Sequence, residues 1–158
     1  MLSENASLAA IEDLPAPEFF AAIGKEARKK WDCSLDAGFQ IIPNVLFRCQ
    51  KILGLEPVDV VILMNITTHW WDKADLPYPR PSAIANRMDV STRTVERRLR
   101  EMEKNGLLRR LKSTKKQGRA IRRIDLTGLV EKLKEVAAAN LRLRQTRTPR
   151  ALNAQGDD

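Results

Sequence analysis

Between Ser82 and Met102 the chain reads SAIANRMDVSTRTVERRLREM, and its apolar positions leave few folds open. Ile84, Ala85 and Met88 suit one face of a short helix; Val95, Leu99 and Met102 suit one face of a second. Asp89-Val90 reads as the tight turn between them. Ser82 and Ser91 are residue types that cap helix N-termini, so one is assigned to each helix. Asn105-Gly106 closes the second helix, with the glycine in the left-handed position just beyond it. At about 100° per residue, Val95, Leu99 and Met102 form a narrow stripe, and Arg93, Arg97, Arg100 and Lys104 fall within roughly 40° of the opposite pole. A helix anchored along one edge and lined with cations along the other suits a wide, negatively charged groove.

Charge sharpens this picture. The chain has 158 residues and a formal net charge of +8. Residues 1–80 carry 8 Lys/Arg against 11 Asp/Glu, whereas residues 81–158 carry 20 against 9. A polyanion-facing surface is therefore expected in the second half, where the cations coincide with the two-helix spacing. The competing reading is a solvated basic face.

Outside that core the pattern is mainly helical. Residues 1–16 read as a flexible leader and 17–38 as an N-terminal helical extension, opened by Pro17 and striped by Phe20, Ile23, Ala27 and Trp31. Asn44 is expected to cap a helix running to Leu53, with Val45, Leu46, Cys49, Ile52 and Leu53 on one buried face. Pro57 opens the next helix, to about Trp71; it is apolar on nearly every side and is expected to be the central scaffold. The three prolines of DKADLPYPRP, residues 72–81, require a loop.

Leu107–Leu111 and Ala120–Leu126 flank a polar stretch, KSTKKQGR, and together they read as a β-hairpin with Ile124 and Leu126 turned inward. Thr127 is expected to cap a last helix over 127–143. Its stripe of Leu129, Leu133, Val136, Asn140 and Leu143 follows heptad spacing, with Asn140 at a core position. That seam suits a homodimer; the alternative is a helix folded back on its own domain. Residues 144–158 read as a disordered tail.

Residues 82–111 resemble the winged helix-turn-helix core of bacterial regulators. The match lies in Ile84-Ala85, the turn at Asp89, Val90-Ser91, Thr94-Val95, Arg97 and the Gly106-Leu107-Leu108 exit into the wing. Asp89 stands where glycine is common in that pattern. The resemblance looks closest to transcription regulators and to plasmid and phage replication proteins. It implies a winged helix-turn-helix domain over 39–126 with helical extensions at both ends, mainly α with a small β-hairpin wing.

The function expected is sequence-specific binding of double-stranded DNA, as a dimeric transcription regulator. The alternative is a replication initiator or accessory protein of a mobile element; a further alternative is a protein-interaction module that does not bind DNA. Arg93 and Arg97 are the candidates for base-edge contact, and Arg100 and Lys104 for phosphate. Surface ion pairs Glu96–Arg100 and Arg97–Glu101 compete with those roles. Ser91, Thr92 and Thr94 are candidate phosphate donors or simple caps. Lys112, Lys115, Lys116 and Arg119 of the wing are expected to follow the backbone or enter the minor groove.

Other classes have little to build on. Cys33, Cys49 and His69 lack metal-ligand spacing, so no metal or cofactor is expected, and the thiols read as spectators. One histidine and no phosphate-cradling glycine loop argue against an enzyme. Trp31, Trp70, Trp71 and Tyr78 read as core or interface rather than as a ligand pocket. The single tyrosine and few exposed aromatics offer no obvious stacking platform for RNA. The longest apolar run, Val60–Met64, is too short to span a bilayer and no signal peptide is visible, so a cytoplasmic location is expected. Residues 1–38 match no pattern and are a candidate contact for a protein partner.

Overall fold

The computed structural model describes residues 17–147, and their side chains from 24 to 143. The chain divides into two compact units, residues 1–39 and 40–158. The expectations of a flexible leader over 1–16 and of a disordered tail past residue 147 lie outside the described residues.

The first unit holds α1, Pro17–Trp31, followed by a 3-10 segment, Asp32–Ala37. Arg28, Lys29 and Lys30 lie in the last turn of α1, where cations meet the negative end of the helix. Of the expected stripe, Ala27 is half-buried and Trp31 is exposed beneath the Lys30 ammonium. Gly38, at φ 106°, ends the segment.

The second unit begins with α2, Asn44–Arg48, and α3, Pro57–Thr67. Asn44 is the first residue of α2 rather than its cap; Pro43 holds the cap position. The helix also stops well short of Leu53. Cys49 leaves helical geometry at φ −115°, ψ 16°, and the chain continues in turns. Leu46, Cys49 and Leu53 still reach the core, but the break rotates Ile52 outward to 74% exposure.

In α3, Val60, Ile62, Leu63 and Ile66 are buried, which makes it the packing centre of the unit. It ends at Thr67 rather than near Trp71. The Thr67 and Thr68 hydroxyls donate back to the Leu63 and Met64 carbonyls, at 3.0 and 2.9 Å. Such back-bonding competes with helix continuation.

After an irregular segment come α4, Pro81–Met88, and α5, Thr92–Lys104. Pro81 is the first residue of α4 and Arg80 its cap, so Ser82 lies inside the helix; proline's fixed φ suits that first position. Asp89 turns the chain in the left-handed conformation, at φ 52° and ψ 45°. Ser91 caps α5: its hydroxyl accepts from the Thr94 N–H at 3.1 Å. At the other end Leu107 N–H reaches the Met102 carbonyl at 2.9 Å and Gly106 N–H that of Glu103 at 3.0 Å. With Gly106 at φ 69°, this is the double closure that releases a chain abruptly from a helix.

The hairpin is built from two ladders. β1, Arg109–Arg110, pairs with β4, Ile124–Asp125; β2, Thr114–Lys116, pairs with β3, Arg119–Ile121. Arg110 lies opposite Ile124, but Thr114 lies opposite Ile121, so three residues on one side face two on the other. The extra residue acts as a bulge between the two ladders. The tip is the two-residue turn Gln117-Gly118, both at positive φ, as the right-handed twist of a tight hairpin requires. Within the polar stretch over 112–119, Thr114–Lys116 and Arg119 are strand, whereas Lys112 and Ser113 lie between the two ladders and Gln117-Gly118 form the turn.

The last helix, α6, runs Thr127–Arg147, so residues 144–147 are helical rather than tail. Asp125, not Thr127, organises its start, accepting from the Thr127 N–H at 2.9 Å and from the Thr127 hydroxyl at 2.6 Å. Gly128 meets the Gly106–Leu107 backbone so closely that an added Cβ would stand 2.1 Å from the Gly106 oxygen. Leu129 and Leu133 are buried, Val136 packs against the same core, and α6 contacts α2. The first part of the heptad stripe is therefore covered by its own domain. Asn140 bonds within the chain, to Cys49 Sγ at 3.4 Å and to the Val136 carbonyl at 3.1 Å. Those contacts engage the Asn140 amide within the chain. The described fold is mainly helical with small antiparallel strand pairs.

Candidate nucleic-acid interface

Helix α5 is set by an ion pair that its sequence pattern only half discloses. Arg98 lies beside the Val95–Leu99–Met102 stripe and is 7% exposed. Its Nε donates to Asp59 Oδ1 at 2.7 Å and its Nη2 to Asp59 Oδ2 at 2.5 Å, while Glu56 Oε1 lies 3.0 Å from Nη1. Asp59 is 1% exposed on α3 and also accepts the Glu56 backbone N–H at 2.8 Å. Hydrogen bonding to Asp59 outweighs the opposing effect of burial and raises the Arg98 pKa above the usual arginine value. This fork-to-carboxylate geometry fixes both rotation and position of α5 on α3.

A second clamp joins α5 to the hairpin. Arg110, on β1, reaches Glu96 at 2.8 Å and Glu103 at 3.0 Å, and its backbone N–H donates to Glu103 at 2.9 Å. Burial works against the Glu103 charge. The Arg110 N–H and guanidinium, with Arg122 nearby, overcome it and hold that carboxyl below its ordinary range. Asp125 is held low as well, first by the Thr127 hydroxyl and N–H and then, against burial, by Arg109.

With these two clamps in place, the opposite edge of α5 is bare. Arg93, Arg97, Arg100 and Lys104 are exposed, and among the described residues none of them has an ion-pair partner. The competing Glu96–Arg100 and Arg97–Glu101 pairs do not form: Glu96 turns to Arg110 instead. At the N-terminus, Ser91 and Thr94 are occupied with each other, their hydroxyl oxygens 2.9 Å apart, which favours the simple-cap reading for both. Thr92 is exposed and carries no such contact. No acidic residue stands in the first turn, so the positive helix end faces outward uncompensated.

The hairpin cations divide into two sets. Lys112 and Lys115 are exposed and unpaired among the described residues. Lys116 instead leans on Tyr78, donating to its hydroxyl at 3.1 Å with its Nζ 5.0 Å from the ring centre. Arg119 stands opposite Lys116 in the ladder. Both line a cleft of about 590 Å³ between the hairpin, Tyr78–Pro81 and α5. The 72–81 segment is anchored there by buried Pro77, whose carbonyl accepts the Ile124 N–H at 2.8 Å.

Sequence reasoning missed Asp59, Arg98 and Arg110. Asp59 had a signal, being the one acidic residue in an otherwise apolar helix. Of the four aromatics grouped from the sequence, Trp70 packs against the core, whereas Trp71 and Tyr78 are exposed along one groove with His69. Among the described residues no three His, Cys, Asp or Glu side chains come together as a metal site needs, and no helix is long and apolar enough to cross a membrane.

A family model described as the DnaD N-terminal domain matches residues 42–142, which take in α2 through most of α6 with the bare edge of α5 and the hairpin. No curated protein matches the chain.

Proposed function

The chain belongs to the DnaD N-terminal domain family, a replication-associated domain with winged-helix-like features, and from that premise we propose that it is a replication protein that binds double-stranded DNA. The family favours the replication alternative over the transcription regulator that the sequence first suggested. We read α4, α5 and the hairpin as a winged helix-turn-helix. In this reading α5 enters the major groove and Lys112 and Lys115 follow the backbone.

One observation carries the proposal: four exposed cations on one edge of α5 have no carboxylate partner, although the same helix supplies Glu96 and Glu103 to a different arginine. With Glu96 and Glu103 drawn to Arg110, only Glu101 remains exposed beside four unpaired cations, and the edge presents net positive charge to an external polyanion. Arg93 and Arg97, near the N-terminus, reach deepest and contact base edges; Arg100 and Lys104 meet phosphates. Among the described residues nothing pairs a nucleophile with a base, and we assign the protein to binding rather than to catalysis.

The test is titration of a labelled duplex at several salt concentrations. Four to eight phosphates neutralised correspond to a slope of log affinity against log salt of about −4 to −7. A chain that ignores every duplex at low salt overturns the proposal and leaves the protein-interaction reading in its place.

A further inference from the structure

The cleft beside the hairpin differs in kind from the bare edge of α5. Arg80, Arg110, Lys116, Arg119 and Arg122 line it, with Glu96 as the one carboxylate. Arg110 is engaged by Glu96 and Glu103. The other four cations form no ion pair among the described residues, although Arg122 lies near enough to Glu103 to help stabilise its charge. Lys116 is held at an aromatic ring rather than by an acid, so it keeps its charge for an incoming ligand. The floor is apolar, formed by Leu99, Ile121, Ile124, Pro79 and Pro81. At about 590 Å³ the cleft has room for a nucleotide, within the usual range of ligand clefts.

Tyr78 and Pro79 also wall a smaller groove of about 240 Å³, whose other sides are His69, Trp71 and Asp75. The two hollows therefore share the Tyr78–Pro79 wall. Trp71 is 80% exposed and Tyr78 36%, so two aromatic side chains stand at the surface beside the cations of the cleft, with Lys116 and Arg123 already near the Tyr78 ring. Cations for a backbone combined with exposed rings for bases are the two requirements for holding an unpaired strand. A duplex could not use the rings, because its bases are already stacked.

We propose that this cleft binds a single-stranded polynucleotide, with Tyr78 and Trp71 stacking its bases and Arg80, Lys116, Arg119 and Arg122 holding its phosphates. The site does not depend on the duplex reading. Leu99 and Glu96 belong to both α5 and the cleft wall, so the two surfaces adjoin. A duplex ending in a single-stranded tail would fill both.

The test measures fluorescence anisotropy of the full chain on a labelled oligodeoxythymidylate, an oligouridylate, a blunt duplex and a tailed duplex. The variants are Trp71→Ala and Arg122→Glu, both at exposed positions, and Tyr78→Ala, each checked for an unchanged melting transition. Each should weaken single-strand binding about tenfold or more and leave the blunt duplex within about twofold. Arg97→Ala should do the reverse. Loss on either oligomer supports the site, and the tighter of the two identifies the sugar it takes. Wild-type protein that binds neither oligomer overturns the proposal. So does unchanged single-strand affinity in Trp71→Ala and Arg122→Glu, or an equal loss from Arg97→Ala. Failure of the blunt duplex alone would remove the duplex reading and leave this one intact.

Discussion

Arg97 and Arg98 are neighbours in the chain and opposite in circumstance. Arg98 lies on the inner flank of α5, forked onto buried Asp59 with Glu56 beside it. Arg97 lies on the outer flank with Arg93, Arg100 and Lys104, exposed and unpaired among the described residues. The helix has three acids of its own, Glu96, Glu101 and Glu103, and two of them are committed to Arg110 of the hairpin. The carboxylates that fix α5 in the domain thus sit away from its basic edge. Inner cations hold the helix still; outer cations are left for something outside.

The largest effect that tests this contrast is on stability. Asp59→Ala strands a buried guanidinium and should lower unfolding free energy by about 3–5 kcal/mol in urea denaturation. The double change Asp59→Leu with Arg98→Met should recover most of that loss, since an apolar pair of similar volume avoids the desolvation problem. A loss under about 1 kcal/mol for Asp59→Ala would show that the inner pair does not fix the helix.

Next comes the outer flank. Arg97→Ala should weaken duplex binding by about 1–3 kcal/mol while unfolding free energy stays within about 0.5 kcal/mol. Equal effects on binding and stability would erase the distinction between the flanks.

Acid should separate the two flanks again, more weakly. Glu103 is held below its ordinary range in the folded chain. A depressed carboxyl gives stability that is present above its unfolded pKa and is lost as pH falls through the folded value. Urea midpoints should therefore fall below about pH 4, and Glu103→Gln should flatten that fall. The partly exposed position limits the effect to about 1 kcal/mol or less. The smallest effect belongs to the hairpin: Lys115→Ala should weaken all duplexes alike and reduce the salt slope by about 0.9.

The outer flank was legible in the sequence because it is local. Helical geometry alone places Arg93, Arg97, Arg100 and Lys104 together, and Ser91 and Gly106 mark where the helix starts and stops. The turn at Asp89 was legible for the same reason. The inner flank was not, because Arg98 meets Asp59 across 39 positions of chain. A lone acid in an apolar helix and an arginine beside an apolar stripe were the available hints. Arg110 was beyond reach, since its partners depend on how the hairpin folds back. Hairpin existence was readable from composition, but its register was not, and the pairing of Lys116 with Arg119 puts both at the cleft. The heptad stripe of α6 was real as a pattern and ambiguous as to partner. Leu129 and Leu133 are buried within their own domain, so spacing alone could not choose between a fold-back and a dimer.

Arginine-selective labelling with phenylglyoxal, read residue by residue by mass spectrometry with and without bound duplex, tests the central claim most directly. The account predicts that Arg93, Arg97 and Arg100 react in the free protein and are protected in the complex, while Arg98 stays inert in both. Outer arginines that remain equally reactive under saturating duplex would contradict it.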